Sequence, residues 1–224
     1  RITTWGETHG AGVGVVVDGC PAGLPLERED VHKYLDRRKP GQSKYTTQRK
    51  EGDQVEILSG IFEGRTTGTP ISMVVYNKDQ RSKDYSNIKD IYRPGHADFT
   101  FDMKYGFRDY RGGGRSSGRE TIGRVAAGAV AAKVLKELGI EIKAYAKAIA
   151  GIEVSKDHFD FAEMNNNPFN MPDKEAAKLV QEKADQMIKE MDSIGGIIEC
   201  QITGMPVGIG ETVFDKLDAE LSKA

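Results

Sequence analysis

A glycine- and arginine-rich segment that leads straight into a helical pattern constrains this chain more than any other feature. Positions 111–120 read Arg-Gly-Gly-Gly-Arg-Ser-Ser-Gly-Arg-Glu. Glycine lets the backbone come close to a ligand, and the N–H groups at the start of the following helix favour an anion. Ser116 and Ser117 can cap that helix or bond a bound group, and Arg115 and Arg119 can add charge-assisted bonds. The segment predicts a phosphate or carboxylate site.

The spacing of this segment does not match the two common nucleotide-binding motifs. Neither GxxxxGK[ST] nor GxGxxG is present there, so ATP and NAD are not the expected ligands. The alternative is an ordinary glycine-rich loop in front of a capped helix. We favour the anion site because three arginines accompany the glycines.

The composition is that of a soluble globular protein. The 224 residues are 38% hydrophobic and 29% charged, with a formal net charge of −2, so nothing global points to nucleic acid or an anionic membrane. Cys20 and Cys200 fit no metal spacing, and reduced thiols are expected. No apolar run has the length of a membrane span, and the first residues do not resemble a signal peptide. We predict a cytoplasmic protein.

Both ends of the sequence suggest a longer polypeptide. The chain opens at Arg1 without methionine, inside a strand pattern, and it ends inside a helical pattern over Leu217–Ala224. We therefore expect a truncated chain.

Strand and helix patterns alternate without a strict βαβ rhythm. Alternating and β-branched runs predict four strands, at Val13–Val17, Val55–Leu58, Ile71–Tyr76 and Gly196–Ile202. Helical periodicity predicts a short helix that begins at Pro25 and longer helices over Arg119–Leu138 and Asp173–Met191. The apolar stripe of the Arg119–Leu138 helix is built from small residues, which suits close packing in an interior.

Two histidines lie in glycine-containing turns. His9 belongs to Trp5–Gly10, and His96 belongs to Arg93–Asp98. We expect each turn to expose its histidine, which can then titrate near neutral pH. The sequence contains no HExxH or CxxC pattern, which argues against metal catalysis.

The other two histidines and one basic segment have less specific surroundings. His32 and His158 lie in charged or polar segments and are expected at the surface. Residues 37–50 carry six cations, a pattern usual for a solvated face. The interleaved Ser43, Thr46 and Thr47 instead favour a phosphate cradle.

Together these clusters predict a small, multiply anionic substrate held by arginines and acted on by two histidines. A histidine with a pKa near 6.5 can protonate a departing phosphate, whose own second pKa is about 6. The proton makes that leaving group a weaker base.

Six segments, in order and in spacing, resemble the chorismate synthase family. They are Thr4–Gly10, Asp36–Gly41, Tyr45–Arg49, Arg93–Asp98, Asp109–Thr121 and Asp192–Gly196. The resemblance covers the whole chain, as the N-terminal two thirds of the family's length. It implies an α+β fold, a sandwich with helices packed between β-sheets. It also implies one domain over residues 1–224 that lacks a few N-terminal residues and is truncated at its C-terminus.

The resemblance implies a reaction and its cofactor. The family converts 5-enolpyruvylshikimate 3-phosphate to chorismate by 1,4-elimination of phosphate, the last common step of aromatic amino-acid biosynthesis. The reaction requires reduced FMN, with NADPH a candidate reductant. A homotetramer is expected, without nucleic-acid or membrane partners.

The resemblance also assigns roles to residues. His9 matches the acid that protonates the leaving phosphate, and His96 matches the residue beside the flavin pyrimidine edge. Substrate binding is assigned to Thr8, Arg38, Lys44, Arg49, Arg93 and Arg119. Contacts with FMN are assigned to Arg115, Ser116 and Ser117.

Several positions depart from the family pattern. Thr8 stands where serine is usual, Lys44 where arginine is frequent, and Gly118 where alanine is common. Lysine replaces a bidentate grip with a point charge. Family members also continue beyond this C-terminus, and that portion carries more of the flavin site and an acidic residue that relays a proton.

Three alternative functions stay open. A flavin-independent lyase or isomerase acting on a phosphorylated ring acid would keep both histidines. A non-catalytic phospholigand-binding module would use the histidines only as hydrogen-bond donors. An RNA or polyanion binder is less favoured, because the basic segments offer only Tyr45 for stacking and the net charge is negative.

Overall fold

The computed structural model describes residues 1–46, 52–78 and 88–223. The chain divides into two compact units, Arg1–Val134 and Leu135–Ala224. Each unit has its own sheet and its own apolar cluster. The α+β class predicted above is confirmed, because helices and antiparallel sheets are both present. The single domain over residues 1–224 stays a prediction.

A four-stranded antiparallel sheet forms the centre of the first unit. Its strands are β1 (Ile2–Gly6), β2 (Gly12–Val17), β3 (Val55–Ile57) and β6 (Ile71–Tyr76), in the order β1-β2-β6-β3. A two-stranded ribbon consists of β4 (Ile61–Phe62) and β5 (Arg65–Thr66). The helices are α1 (Arg28–Arg38), α2 (Asp98–Tyr105) and α3 (Thr121–Glu137).

Small residues let α3 come close to this sheet. A Cβ atom on Gly123 would lie 2.9 Å from Thr4 Cγ2 and 3.2 Å from the carbonyl oxygen of Gly14. Ala126 and Ala129, further along the helix, are buried. The stripe of small residues is therefore the packing face, as the sequence predicts. Ile122 beside Gly123 is 1% exposed, and burying such a side chain contributes about 1.5–3 kcal/mol.

The second unit pairs a three-stranded sheet with a helix. Strands β7 (Glu141–Ile149), β8 (Ile152–Glu153) and β9 (Gly196–Thr203) have the order β8-β7-β9. Helix α4 (Lys174–Glu190) packs by small residues against this sheet, and helix α5 (Leu217–Lys223) follows β9 in sequence. The cluster between α4 and the sheet contains Ala146, Met171, Ala176, Ala177 and Val180.

The predicted elements are present with small shifts in their ends, and five elements were missed. Helix α1 begins at Arg28 rather than Pro25, because Glu27 and Asp30 form a capping box there. The missed elements are α2, β4, β5, β7 and β8. Strand β7 is rich in alanine and lysine, which are depleted in strands. In the described part of the chain, no helix has both the length and the apolar character needed to cross a bilayer.

We predict that Asp173→Ala destabilises the second unit by about 1–3 kcal/mol. The carboxylate is buried and accepts bonds from the backbone N–H groups of Ser155, Glu175 and Ala176 at 2.9–3.0 Å. Burial raises the pKa of Asp173, but the three donors together outweigh it and hold the pKa below 3.8. The stabilisation is therefore present above that pH and is lost as pH falls through the folded-state value.

Urea unfolding at pH 7 and at pH 3 measures this effect. The difference between wild type and Asp173→Ala should shrink at the lower pH. Asp160→Ala is the control, because this exposed residue caps a short turn through one bond to Ala162. Equal losses for the two variants at pH 7 would contradict the prediction.

Candidate active site

All four polar clusters singled out in the sequence belong to the first unit. They are the Trp5–Gly10 turn between β1 and β2, the basic segment after α1, the Arg93–Asp98 turn before α2 and the glycine loop before α3. Thr47 and Arg49 of the basic segment lie outside the described residues.

The glycine loop adopts a backbone that other residues rarely take. Gly112, Gly113 and Gly114 have φ values of 62°, 87° and 53°, in the left-handed region that favours glycine. A Cβ atom on Gly112 would lie 2.4 Å from Nε2 of His9. The loop backbone therefore packs directly against the imidazole, and glycine is required there.

His9 is buried, contrary to the expectation of an exposed histidine. Its side chain and backbone together are 7% exposed, because the glycine loop covers the ring.

An ion pair lies near this histidine. Arg111 donates two side-chain bonds to Asp109, both at 2.8 Å. These bonds are the main cause of the lowered pKa of Asp109. Burial opposes them, and the charge on His9 adds a smaller lowering.

Thr8 presents a buried hydroxyl next to this histidine. The residue is 5% exposed, and its Oγ1 has no hydrogen-bond partner among the residues that the structure describes. A buried hydroxyl without a partner costs about 1–3 kcal/mol. The position therefore suits a ligand that bonds the hydroxyl.

A buried carboxylate joins two of the arginines assigned to substrate binding. Nη1 of Arg38 donates to Oδ2 of Asp53 at 2.6 Å, and Nη1 of Arg119 donates to Oδ1 at 2.8 Å. The Asp53 side chain is 1% exposed. The end of α1 and the start of α3 are therefore held together by one acid.

Asn77 connects Arg119 to the turn that carries His9. Nε of Arg119 donates to Oδ1 of Asn77 at 2.8 Å. The Nδ2 group of Asn77 donates to the carbonyl oxygens of Glu7 and Gly10, each at 2.9 Å. The arginine pair and the histidine turn thus belong to one hydrogen-bond network.

The turn that contains His96 is fixed by a second arginine–carboxylate pair. Arg93 donates from Nε and Nη2 to the two oxygens of Asp98, at 2.8 and 2.9 Å. These bonds hold the pKa of Asp98 at about 2, against the effect of burial. His96 is exposed, and its Nδ1 donates to the carbonyl oxygen of Pro94 at 3.0 Å. The other ring nitrogen of His96, Nε2, has no hydrogen bond to the described residues.

The residues assigned to FMN make bonds within the protein. Arg115 donates to the carbonyl oxygen of Gly6 and to Oγ1 of Thr4, both at 2.7 Å, and to Glu120 at 3.1 Å. Ser116 Oγ donates to the carbonyl oxygen of Gly113 at 2.7 Å.

Ser117, the third residue of that set, caps the short turn before α3. Its Oγ accepts from the N–H of Arg119 at 3.3 Å. Together the three side chains fix the loop against β1 and α3.

Lys44 and the hydroxyls near it form a turn. Nζ of Lys44 lies 5.1 Å from the ring centre of Tyr45, and the lysine is exposed. Thr46 Oγ1 donates to the carbonyl oxygen of Ser43 at 2.9 Å. The hydroxyls of Ser43 and Thr46 therefore shape this turn, and their role toward phosphate stays a prediction.

The remaining two histidines, His32 and His158, contact residues outside the four polar clusters. Nε2 of His32 accepts from the N–H of Val55 at 3.1 Å and joins α1 to β3, so this residue is half-buried. His158 is exposed and lies 3.5 Å from Glu175. Over the described ranges, no group of histidine, cysteine or acidic residues has the arrangement of a metal site.

Sequence reasoning missed Asp53 and Asn77. Both lie in loop segments with no periodicity, and neither belongs to a glycine or arginine cluster. The only available signal is indirect: buried arginines require an acidic partner. Pairing across 66 residues, as between Asp53 and Arg119, is not readable from one sequence.

We predict that Gly112→Ala destabilises the first unit by about 1–3 kcal/mol and displaces the His9 ring. The new Cβ would clash with the imidazole. Alanine would also be strained in the left-handed backbone conformation that Gly112 adopts. Gly118→Ala is the control, because Gly118 has no positive φ and nothing within 4 Å of its added Cβ.

Urea unfolding and the NMR signals of the His9 imidazole measure the two effects. Gly118→Ala should leave both unchanged. Wild-type stability and unshifted imidazole signals in Gly112→Ala would show that the loop does not press on the ring.

Comparisons with known proteins agree on one family. The chorismate synthase family model matches residues 1–224. Chorismate synthases from Lachnospira eligens and Agathobacter rectalis are 69% and 62% identical to this chain over its whole length, which corresponds to 61% of each relative.

A crystal structure of chorismate synthase aligns over the whole chain and 63% of its own, with a TM-score of 0.78 and 30% identity. The chain thus spans about 61% of the length of the curated relatives. It belongs to the chorismate synthase family.

Proposed function

We propose that this chain, within its intact polypeptide, is a lyase that converts 5-enolpyruvylshikimate 3-phosphate to chorismate and phosphate. The reaction is a 1,4-elimination that serves aromatic amino-acid biosynthesis. Family membership supports the reaction class. The observation that carries the proposal is the pair of arginines on the buried Asp53. One of them, Arg119, is linked through Asn77 to the turn of His9.

The chemistry of the substrate suits this arginine group. The substrate has two carboxylates and a phosphate, and guanidinium groups bind such anions with paired, charge-assisted bonds. We assign Arg38 and Arg119 to these anions, together with Arg93, Lys44 and Arg49. The Thr8 hydroxyl adds a neutral donor in a buried position.

His9 is assigned as the acid that protonates the departing phosphate. The ordinary pKa of histidine is close to the second pKa of phosphate, which favours proton transfer between them near neutral pH. The glycine loop limits the orientations of the ring. It also shields the ring from bulk water, since His9 is buried. The proton then has a fixed position relative to the arginine-bound anion.

Reduced FMN is the proposed cofactor, and two exposed groups fit its polar edge. These are the Nε2 atom of His96 and the hydroxyl of Ser116. When bound, reduced FMN supplies electron density to the ring from which phosphate leaves. Arg115 and Ser117 would support the flavin through the loop they hold, and direct contacts from them stay a prediction.

Other properties rest on the resemblance or the composition alone. We propose a homotetramer in the cytoplasm, with NADPH as the candidate reductant of the flavin. Free Cys20 and Cys200 suit a reducing compartment.

Anaerobic phosphate release by the intact polypeptide tests the proposal. We expect release from 5-enolpyruvylshikimate 3-phosphate only with reduced FMN, with chorismate appearing in step. Release without flavin would indicate the simple lyase. Absence of release from the folded polypeptide would leave the phospholigand-binding module.

Histidine variants separate an enzyme from a binder. We expect His9→Ala and His96→Ala each to lower kcat by about 10²- to 10⁴-fold while substrate binding survives. His158→Ala is the control, because this exposed residue lies in the second unit. Full turnover in His9→Ala would exclude the assigned proton transfer.

A further inference from the structure

We propose that Asp53 is a positioning residue, which sets the spacing and orientation of Arg38 and Arg119 for an anionic ligand. The proposal deepens the proposed function and rests on it for the identity of that ligand. Asp53 is absent from the set of residues assigned above to substrate or cofactor.

The first support is the geometry of one acid between two guanidinium groups. Each carboxylate oxygen accepts from a different arginine, at 2.6 Å from Arg38 and 2.8 Å from Arg119. Arg38 lies in α1 and Arg119 in the short turn before α3. Arg38 also donates to Thr121, and Arg119 also donates to Asn77. Asp53 is therefore a group that both guanidinium groups share, and it fixes one relative to the other.

The second support is burial. The side chains of Asp53 and Arg119 are 1% and 5% exposed, and that of Arg38 is 20% exposed. A buried charge without a partner is strongly unfavourable, and two buried like charges repel each other. The carboxylate offsets this repulsion and leaves the three groups with a net positive charge that an anion can approach.

The third support is the backbone of Asp53. Its φ of 41° lies in the left-handed region, which aspartate and asparagine tolerate better than other side chains. Asp53→Asn therefore keeps both the shape and the backbone preference of the residue. It removes the charge and one of the two acceptor oxygens.

Charge and position predict opposite effects for this variant. If Asp53 only screened the arginines, its neutralisation would add net positive charge and tighten the binding of an anion. If it positions them, the arginines move apart and binding weakens despite the added positive charge. Loss of one hydrogen bond to a charged group raises a dissociation constant by about 10- to 100-fold.

A second variant separates the two roles by keeping the charge and changing the position of the carboxylate. Asp53→Glu keeps the charge but moves the carboxylate by one methylene. The positioning role predicts weaker binding here too, whereas screening predicts wild-type binding. This variant also carries the test if Asp53→Asn does not fold.

Asp36→Asn is the charge-matched control. Asp36 lies on the same helix as Arg38 and is 54% exposed, and it bonds Lys39 at 2.9 Å. Its neutralisation makes the same change in net charge, without removing a bond to Arg38 or Arg119. Anion binding in this control should be unchanged or slightly tighter.

The measurements use the intact polypeptide and two readouts. One is the dissociation constant of inorganic phosphate, and the other is the KM for 5-enolpyruvylshikimate 3-phosphate. We expect both to rise by about 10- to 100-fold in Asp53→Asn, with a smaller fall in kcat, because Asn77 lies between Arg119 and the turn of His9. Thermal unfolding confirms that the compared variants are folded.

Folded Asp53→Asn with unchanged or tighter phosphate binding would overturn the proposal. So would Asp53→Glu with wild-type binding. Weaker phosphate binding in both variants supports it even if the wild type does not turn over the substrate, a result that would reject only the proposed function. The two proposals therefore fail in distinguishable ways.

Discussion

The carboxylate of Asp53 is the contact on which the rest of the candidate site depends. It joins an arginine from the end of α1 to an arginine in the short turn before α3. From Arg119 the bonds continue through Asn77 to the turn of His9. Without this acid, the repulsion between the two guanidinium groups would lose the charge that lies between them.

Glycine gives the site its second constraint. The loop before α3 contains three consecutive left-handed residues, and the first of them touches the ring of His9. Further along, Gly123 lets α3 approach β1 closely. The same stretch of chain therefore fixes a polar side chain at one end and packs the core at the other.

Local patterns in the sequence predicted the elements best where periodicity was strong. The strand Ile71–Tyr76 and the small-residue face of α3 follow directly from residue type and spacing. Strand β7 was missed because five of its nine residues are alanine or lysine, which are depleted in strands. Asp53 and Asn77 were missed because their partners are distant in sequence, and His9 was expected to be exposed because its covering loop is over 100 residues away.

A crystal structure of the intact polypeptide with 5-enolpyruvylshikimate 3-phosphate bound tests the central claim most directly. We predict that anionic oxygens of the substrate lie within about 3 Å of both the Arg38 and the Arg119 guanidinium groups, with Asp53 still between them. A substrate bound elsewhere, with neither arginine in contact, would contradict the assignment of this buried pair as the anion site.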